Sequence, residues 1–239
     1  MIESDTAHEQ QILARALDQL AVSYQPEQLE QVSHYLDLLQ KWNATFNLSA
    51  IRDRQGMLEK HVLDSLSILP ALLTEINERD ALIDIGTGAG LPAFFIALFI
   101  PSIQVTALDS AGKKIRFLEH VVRALKIRNL TPVNKRVENE SKQFDHIVSR
   151  AFADLDLFIN ISQTIAHRQT RWWAMKGPKV FDELRSARFT DRAEPSLGNW
   201  LREQEKPGNL ALRAHCHDLH VPNLDSARYL LEIHQLDAE

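Results

Sequence analysis

Residues 80–91, Asp-Ala-Leu-Ile-Asp-Ile-Gly-Thr-Gly-Ala-Gly-Leu, constrain this chain more than any other stretch. Residues 81–85 form an apolar run of strand length. Gly86-Thr87-Gly88-Ala89-Gly90 reads as a turn, and residues 91–100 are apolar enough for a buried helix. Strand, glycine turn and helix make the opening unit of a nucleotide-binding α/β sheet. Glycine admits positive φ and leaves bare backbone for a ligand to approach. The helix start adds free N–H groups and a positive dipole end.

Spacing narrows the ligand. A dinucleotide fingerprint is G-x-G-x-x-G, whereas this chain has Asp84-x-Gly86-x-Gly88-x-Gly90. The pattern resembles the first motif of S-adenosylmethionine methyltransferases, in which an acid near the turn favours the ammonium of the cofactor's methionine end. A tight turn in some other α/β protein is the plainer reading of the glycines alone.

The remaining sequence sets bounds. A chain of 239 residues fits one large domain, or one with a helical extension, and a hydrophobic content of 44% is ordinary for a buried core. The first residues are acidic with no apolar signal region, and residues 91–101 are too short to span a bilayer. One cysteine, Cys216, excludes an internal disulfide and fits a reducing, cytoplasmic setting. Net charge is −5, but between Ala111 and Arg136 eight Lys/Arg face one acid, Glu119. A basic patch on an acidic body suits local binding of a polyanion, and equally suits a solvated helix face.

Residues 8–80 read as helical. Ile12, Leu13, Ala16, Leu17 and Leu20 make one stripe. Leu29, Val32, Leu36 and Leu39 make a second, after Pro26 at a helix start. Residues 43–49 break the period and are expected as a loop, with a third helix over about 54–69. This gives a helical extension, 1–79, packed on a domain of residues 80–239. From residue 81 strands and helices alternate, which predicts a mainly parallel sheet. Strands are expected at 81–85, 103–108, 130–134, 144–149, 170–175, 210–216 and 228–234, and helices at 91–100, 112–126, 153–166 and 178–187. Residues 188–208 are polar, with two prolines and two glycines, and are expected as a loop. Seven strands ending in an antiparallel hairpin is the plan of class I methyltransferases, a Rossmann-like α/β fold.

Candidate site residues lie at strand ends. Asp109 ends the second strand, where a carboxylate accepts from ribose hydroxyls in dehydrogenases and methyltransferases alike; it also reads as a helix N-cap. Val137-Glu138 follow the third strand, where a methyltransferase sheet meets adenine. Ser149-Arg150-Ala151-Phe152 ends the fourth, facing the transferred methyl. No Asn/Asp-Pro-Pro-aromatic motif stands there, which disfavours exocyclic amine methylation, and Cys216 lies outside any motif for a C5-directed nucleophile. A nucleophile that needs no deprotonation, such as guanine N7, fits a site with no assigned catalytic residue. His61 and Asp64 share a helix face and either approach the substrate or tie the bundle to the sheet. His215 and His217 alternate on a strand without an acidic partner at ligand spacing, so no metal is expected. Trp172 and Trp173 face opposite sides of a strand and read as packing.

Lys41-Trp42-Asn43 with Phe46-Asn47-Leu48, His61-Val62-Leu63-Asp64-Ser65, the glycine motif through Pro92, Leu108-Asp109-Ser110, Gly112 to Leu118, Arg136-Val137-Glu138, Ser149 to Ala153, Met175-Lys176-Gly177, Val221-Pro222 and Arg228-Tyr229-Leu230 together resemble the RsmG (GidB) family of bacterial 16S rRNA guanine-N7 methyltransferases. The resemblance implies an S-adenosylmethionine site at Gly86, Leu91, Val137, Glu138 and Arg150, to which the residue-level reading adds Gly88 and Asp109. It implies a target guanine in the 530 loop of small-subunit rRNA, met in a small ribosomal subunit or its assembly intermediate. Lys113, Arg116, Arg136 and Arg228 are the candidate RNA contacts, and the guanine is expected to leave its stack. Ala93 and Ala89 depart from the family's usual glycine and proline, and residues 188–208 are not covered. A monomer is expected, since no spare apolar stripe is evident. A nicotinamide dehydrogenase and a non-catalytic RNA-binding protein are the competing readings.

Overall fold

The protein is described from a computed structural model, covering residues 2–191, 198–203, 210–222 and 224–236, without the side chains of residues 2–5. β1 (Ala81–Ile85), β2 (Gln104–Asp109), β3 (Leu130–Asn134), β4 (Phe144–Arg150) and β5 (Ala166–Lys176) pair in parallel. β6 (Thr190–Asp191), β7 (Asn199–Arg202), β8 (Leu212–Leu219) and β9 (Arg228–Gln235) continue the sheet in antiparallel pairing. The order is β3-β2-β1-β4-β5-β9-β8-β7-β6. β1 therefore lies centrally, and the order in which strands are added reverses between it and β4, the place where open α/β sheets bind ligands.

The expected class is present, with nine strands among the described residues rather than seven. The two additional strands fall in the stretch expected as a loop. β7 carries Trp200, which is buried against Phe181 and beneath the Arg185 guanidinium. Apolar anchors that sparse do not produce a readable strand alternation. Residues 192–197 and 204–209 of that stretch, with Pro195, Pro207 and Gly208, lie outside the described residues.

Alternation along the strands builds two cores. Leu82, Trp173 and Leu230 face one layer; Ile83, Trp172 and Leu231 face the other. Both tryptophans are fully buried, and each indole N–H has a partner, Ser162 Oγ at 2.9 Å and His146 Nδ1 at 3.1 Å. The second layer is closed by α8 (Leu155–Ser162) and α9 (Val180–Ser186). The first is closed by α6 (Ala93–Phe99), α7 (Gly112–Ala124) and the N-terminal helices.

Those helices are α1 (Ile2–Gln19), α2 (Pro26–Phe46), α3 (Arg54–Met57), a π-helical stretch Leu58–Leu63, α4 (Asp64–Leu66) and α5 (Leu69–Glu75). α2 outruns the loop expected from residue 43. Asn43 stays in the helix because its buried side chain bonds the returning chain, donating to the Ile51 carbonyl and accepting from the Ser49 amide. The third helix ends at Leu66, three residues short of expectation, and Pro70 opens α5 instead of ending its predecessor.

α2 is fastened to the sheet layer through helix ends. Gln28 donates to the Leu98 carbonyl and Gln31 to the Leu125 carbonyl, at the C-termini of α6 and α7. In return the Lys113 ammonium donates to the Phe46 and Asn47 carbonyls at the end of α2. Each bond satisfies a carbonyl that its own helix leaves open. Among the described residues no helix is long and apolar enough to cross a membrane.

Candidate active site

The glycine turn is placed by the two strands beside it. Gly86 and Thr87 amides both donate to the Leu108 carbonyl, at 2.8 and 3.1 Å, which draws the end of β1 against the end of β2. Gly86 sits at φ +72° with the Phe152 ring over it; a Cβ there would stand 2.3 Å from the ring. Gly88 has φ +62°, and a Cβ on it would find nothing nearer than 3.9 Å, so this face of the turn is open to a ligand. Its amide donates to Asp109 Oδ2 at 3.0 Å, while Asp109 Oδ1 accepts from the Ala111 amide at 2.8 Å and Lys114 lies 3.4 Å from Oδ2. Asp109 thus binds the glycine turn and the chain just ahead of α7, and Ala111 rather than Asp109 occupies the N-cap of that helix.

α2 supplies a support that the sequence reading missed. Tyr35 is fully buried and its hydroxyl donates to the Ala89 carbonyl at 2.9 Å. Its ring stacks on Phe94 at 4.6 Å and meets Phe95 and Phe117 edge-on. Burial raises its pKa, so it remains a donor. The available signal was its place in the Val32–Leu36–Leu39 stripe: a buried tyrosine needs a partner for its hydroxyl.

Behind the turn Asp84 is fully buried, and the Ala93 amide donates to its Oδ2 at 3.3 Å. Oδ1 has no hydrogen-bond partner among the described residues. Burial pushes the carboxyl up to about 7, against the nearby Thr87 side chain, the Ala93 amide and Arg150.

Two clefts open at the carboxyl ends of the parallel strands. The first, of about 350 Å³, is lined by Gly86, Asp109, Arg136, Val137, Glu138 and Phe152, among others. The second, of about 550 Å³, is lined by residues that include His61, Asp64, Arg150, Lys176, Glu183 and Arg228. Ala151, at φ +52°, lines both. A non-glycine residue in that conformation at the junction of two clefts is strain held by its surroundings.

The sequence candidates divide between these places. Gly86, Asp109, Val137 and Glu138 meet in the first cleft. Gly88 borders it through its bond to Asp109. Leu91 is buried in the core, its amide donating to the Thr87 carbonyl. Arg150 lines the second cleft instead. Of the basic candidates, Arg136 lines the first cleft and Arg228 the second, while Lys113 is bonded to the end of α2 and Arg116 is exposed on α7.

The first cleft fits a nucleoside. Bare glycine backbone flanks it, a carboxylate with one acceptor site to spare stands at the second strand end, and exposed Glu138 lies beside the buried Val137. Among the described residues no group of three His, Cys, Asp or Glu is placed to hold a metal ion.

The second cleft is organised by Asp64. One oxygen accepts from Arg150 Nη1 and the other from Arg228 Nε, both at 3.0 Å. A carboxylate from the N-terminal helices therefore holds β4 and β9 arginines together, so the tie to the sheet and the approach to the site are the same contact. His61 stands on the π-helical turn with Ser49 Oγ 2.7 Å from Nε2 and the Lys60 carbonyl 3.1 Å from Nδ1. Burial, then the Arg150 charge, lowers it to about 4, so it is neutral at physiological pH. Elsewhere, His215 and His217 rings pack at 4.4 Å and His217 bonds Glu232 at 3.0 Å.

Comparison with known proteins follows this geometry. The family model described as "rRNA small subunit methyltransferase G" (GidB) matches residues 28–195. A "Ribosomal RNA small subunit methyltransferase G" from Saccharophagus degradans is 41% identical over 226 residues, covering 92% of this chain and 90% of that protein. One of the same description from Pseudomonas paraeruginosa is 43% identical over 181 residues, covering 75% and 83%. Among solved structures, one titled as an rRNA methylase from Streptococcus thermophilus aligns at 13% identity and a TM-score of 0.47, covering 74% of this chain and 95% of that one. On the extent of the family match and the identity to these relatives, the chain belongs to the rRNA small subunit methyltransferase G family.

Proposed function

We propose that this protein transfers the methyl group of S-adenosylmethionine to N7 of a guanine in the 530 loop of 16S rRNA. It would act on a small ribosomal subunit or its assembly intermediate, as a cytoplasmic monomer. The observation that carries the reading is the meeting of two clefts at Ala151, one fitted to a nucleoside and one lined by cationic side chains. In this reading residues 80–239 are the methyltransferase domain, and residues 1–79 are an extension that lends Lys60, His61 and Asp64 to the acceptor side.

Bound S-adenosylmethionine supplies a sulfonium methyl: the N7 lone pair forms the new N–C bond, the C–S pair stays on sulfur, and the positive charge passes to the purine ring. Gly86 and Gly88 offer backbone to the cofactor's methionine end, next to the core-buried Leu91. Asp109 accepts from the ribose hydroxyls, and Val137 and Glu138 hold adenine. Arg150 stands beside the shared wall. No proton leaves N7, so the chain's task is alignment. A neutral His61 adds no positive charge where the purine becomes cationic. Lys113, Arg116, Arg136 and Arg228 attract the RNA phosphates.

The test is methyl transfer from labelled S-adenosylmethionine to small-subunit particles from cells lacking this gene, with the product nucleoside identified. N7-methylguanosine in the 530 loop is expected. Cofactor binding without transfer to any form of the subunit would overturn the acceptor assignment.

A further inference from the structure

The acceptor cleft contains two carboxylates with different commitments. Asp64 is buried and gives one oxygen to each of two arginines. Glu183, on α9, gives only Oε2, to the Lys176 ammonium at 2.6 Å. Lys176 is held in turn by the Ala153 carbonyl at 3.0 Å. Glu183 Oε1 has no hydrogen-bond partner among the described residues, and the side chain is 30% exposed at the cleft wall. Lys176 pairs in register with Tyr229, and its neighbour Met175 with Arg150, so Glu183 is anchored one residue from the strand position facing Arg150.

We propose that Glu183 reads the acceptor base, its Oε1 accepting from N1–H and N2–H of guanine; this rests on the guanine-N7 reading above. A purine presenting N7 to the first cleft turns its N1/N2 edge to the opposite side, into the second cleft. Glu183 lines the second cleft and not the first. Guanine carries two donors at that edge, and a carboxylate is their complement. Adenine carries the N1 lone pair there, which a carboxylate repels. Adenine N7 is also a free lone pair, so selection against it must come from the far edge rather than from the reacting atom. The Lys176 contact fixes which oxygen faces the base and which faces the protein.

Glu183→Gln tests this without removing bulk. Lys176 keeps the amide oxygen on its side, so the NH2 group turns to the base, opposing guanine's donors and matching adenine N1. Transfer is measured on small-subunit particles assembled with guanine or with adenine at the acceptor position. Particles with guanine should lose about 10- to 100-fold in kcat/KM, and the guanine-to-adenine ratio should fall by at least tenfold. S-adenosylmethionine affinity should stay within error, while the thermal midpoint falls modestly because the Lys176 ammonium keeps an acceptor and loses its counter-charge. Asp182→Asn, an exposed neighbour on the same helix, should change none of these. An unchanged ratio in Glu183→Gln overturns the assignment, because a general loss of active protein lowers both arms together. Lost cofactor binding also overturns it, by placing Glu183 in the fold rather than at the base. No transfer by the unaltered protein to guanine particles fails the underlying reading instead.

Discussion

The two clefts sit on one sheet and are built in opposite ways. The first is made of backbone. Its turn runs over residues 86–90, both amides at the turn's start bond Leu108, and Asp109 is adjacent in the next strand. The second is made of side chains from segments far apart in the chain: His61 and Asp64 before the sheet, Arg150 at the end of β4, Lys176 at the end of β5, Glu183 on α9, Arg228 in the last strand. Local geometry defends the first, whereas a few charge-assisted bonds defend the second. Substitutions should therefore damage cofactor binding and acceptor binding separately.

Asp64→Ala should have the largest effect. It leaves Arg150 and Arg228 without their shared partner, and breaking a buried pair this way costs about 3–5 kcal/mol. Denaturant unfolding should show that loss, and methyl transfer should fall much further than S-adenosylmethionine affinity. Equal loss of both would mean that the clefts are one unit.

Gly86→Ala attacks the other side. Left-handed φ costs an alanine about 1–2 kcal/mol, and the new methyl meets the Phe152 ring. Calorimetric titration should show S-adenosylmethionine binding weakened by about tenfold or more, with RNA binding preserved. Retained cofactor affinity would remove the turn from the cofactor site.

Tyr35→Phe keeps the stacked ring and deletes only the bond to the Ala89 carbonyl. The expected cost is about 1 kcal/mol of stability, seen in thermal or chemical unfolding, with a severalfold loss of cofactor affinity because Ala89 lies in the glycine turn.

In pH dependence the two regions are told apart by sign rather than by size. Asp84 is raised from an ordinary 3.8 to about 7, so between about pH 4 and 7 the native state keeps a proton that the unfolded chain has released. Its contribution to stability falls as pH rises through that window. His61 is lowered from 6.5 to about 4, so across that interval the unfolded chain takes up a proton that the native state refuses. Its contribution falls as pH drops. Unfolding free energy against pH should lose the first slope in Asp84→Asn and the second in His61→Gln; an unchanged slope in either variant would refute that residue's assignment.

The sequence by itself determined what depends on near neighbours. The glycine turn, the strands at 81–85 and 130–134, and the opposed faces of Trp172 and Trp173 were legible because backbone conformation and two-residue alternation are written in consecutive residues. So was the gathering of Gly86, Asp109, Val137 and Glu138, since each ends or follows a parallel strand and the parallel register brings those ends together. Tertiary structure decided what depends on partners distant in sequence. α2 runs through Asn43 because Ile51 and Ser49 complete that side chain's bonds. Residues 190–191 and 199–202 became strands because β8 offered an edge and Trp200 found a core. Arg150 turned from the first cleft to Asp64, 86 positions away, and Glu183 came to line the second cleft with one carboxylate oxygen bonded to Lys176. Long charged side chains reach several ångströms in many directions, and only the packed fold selects which ion pairs form.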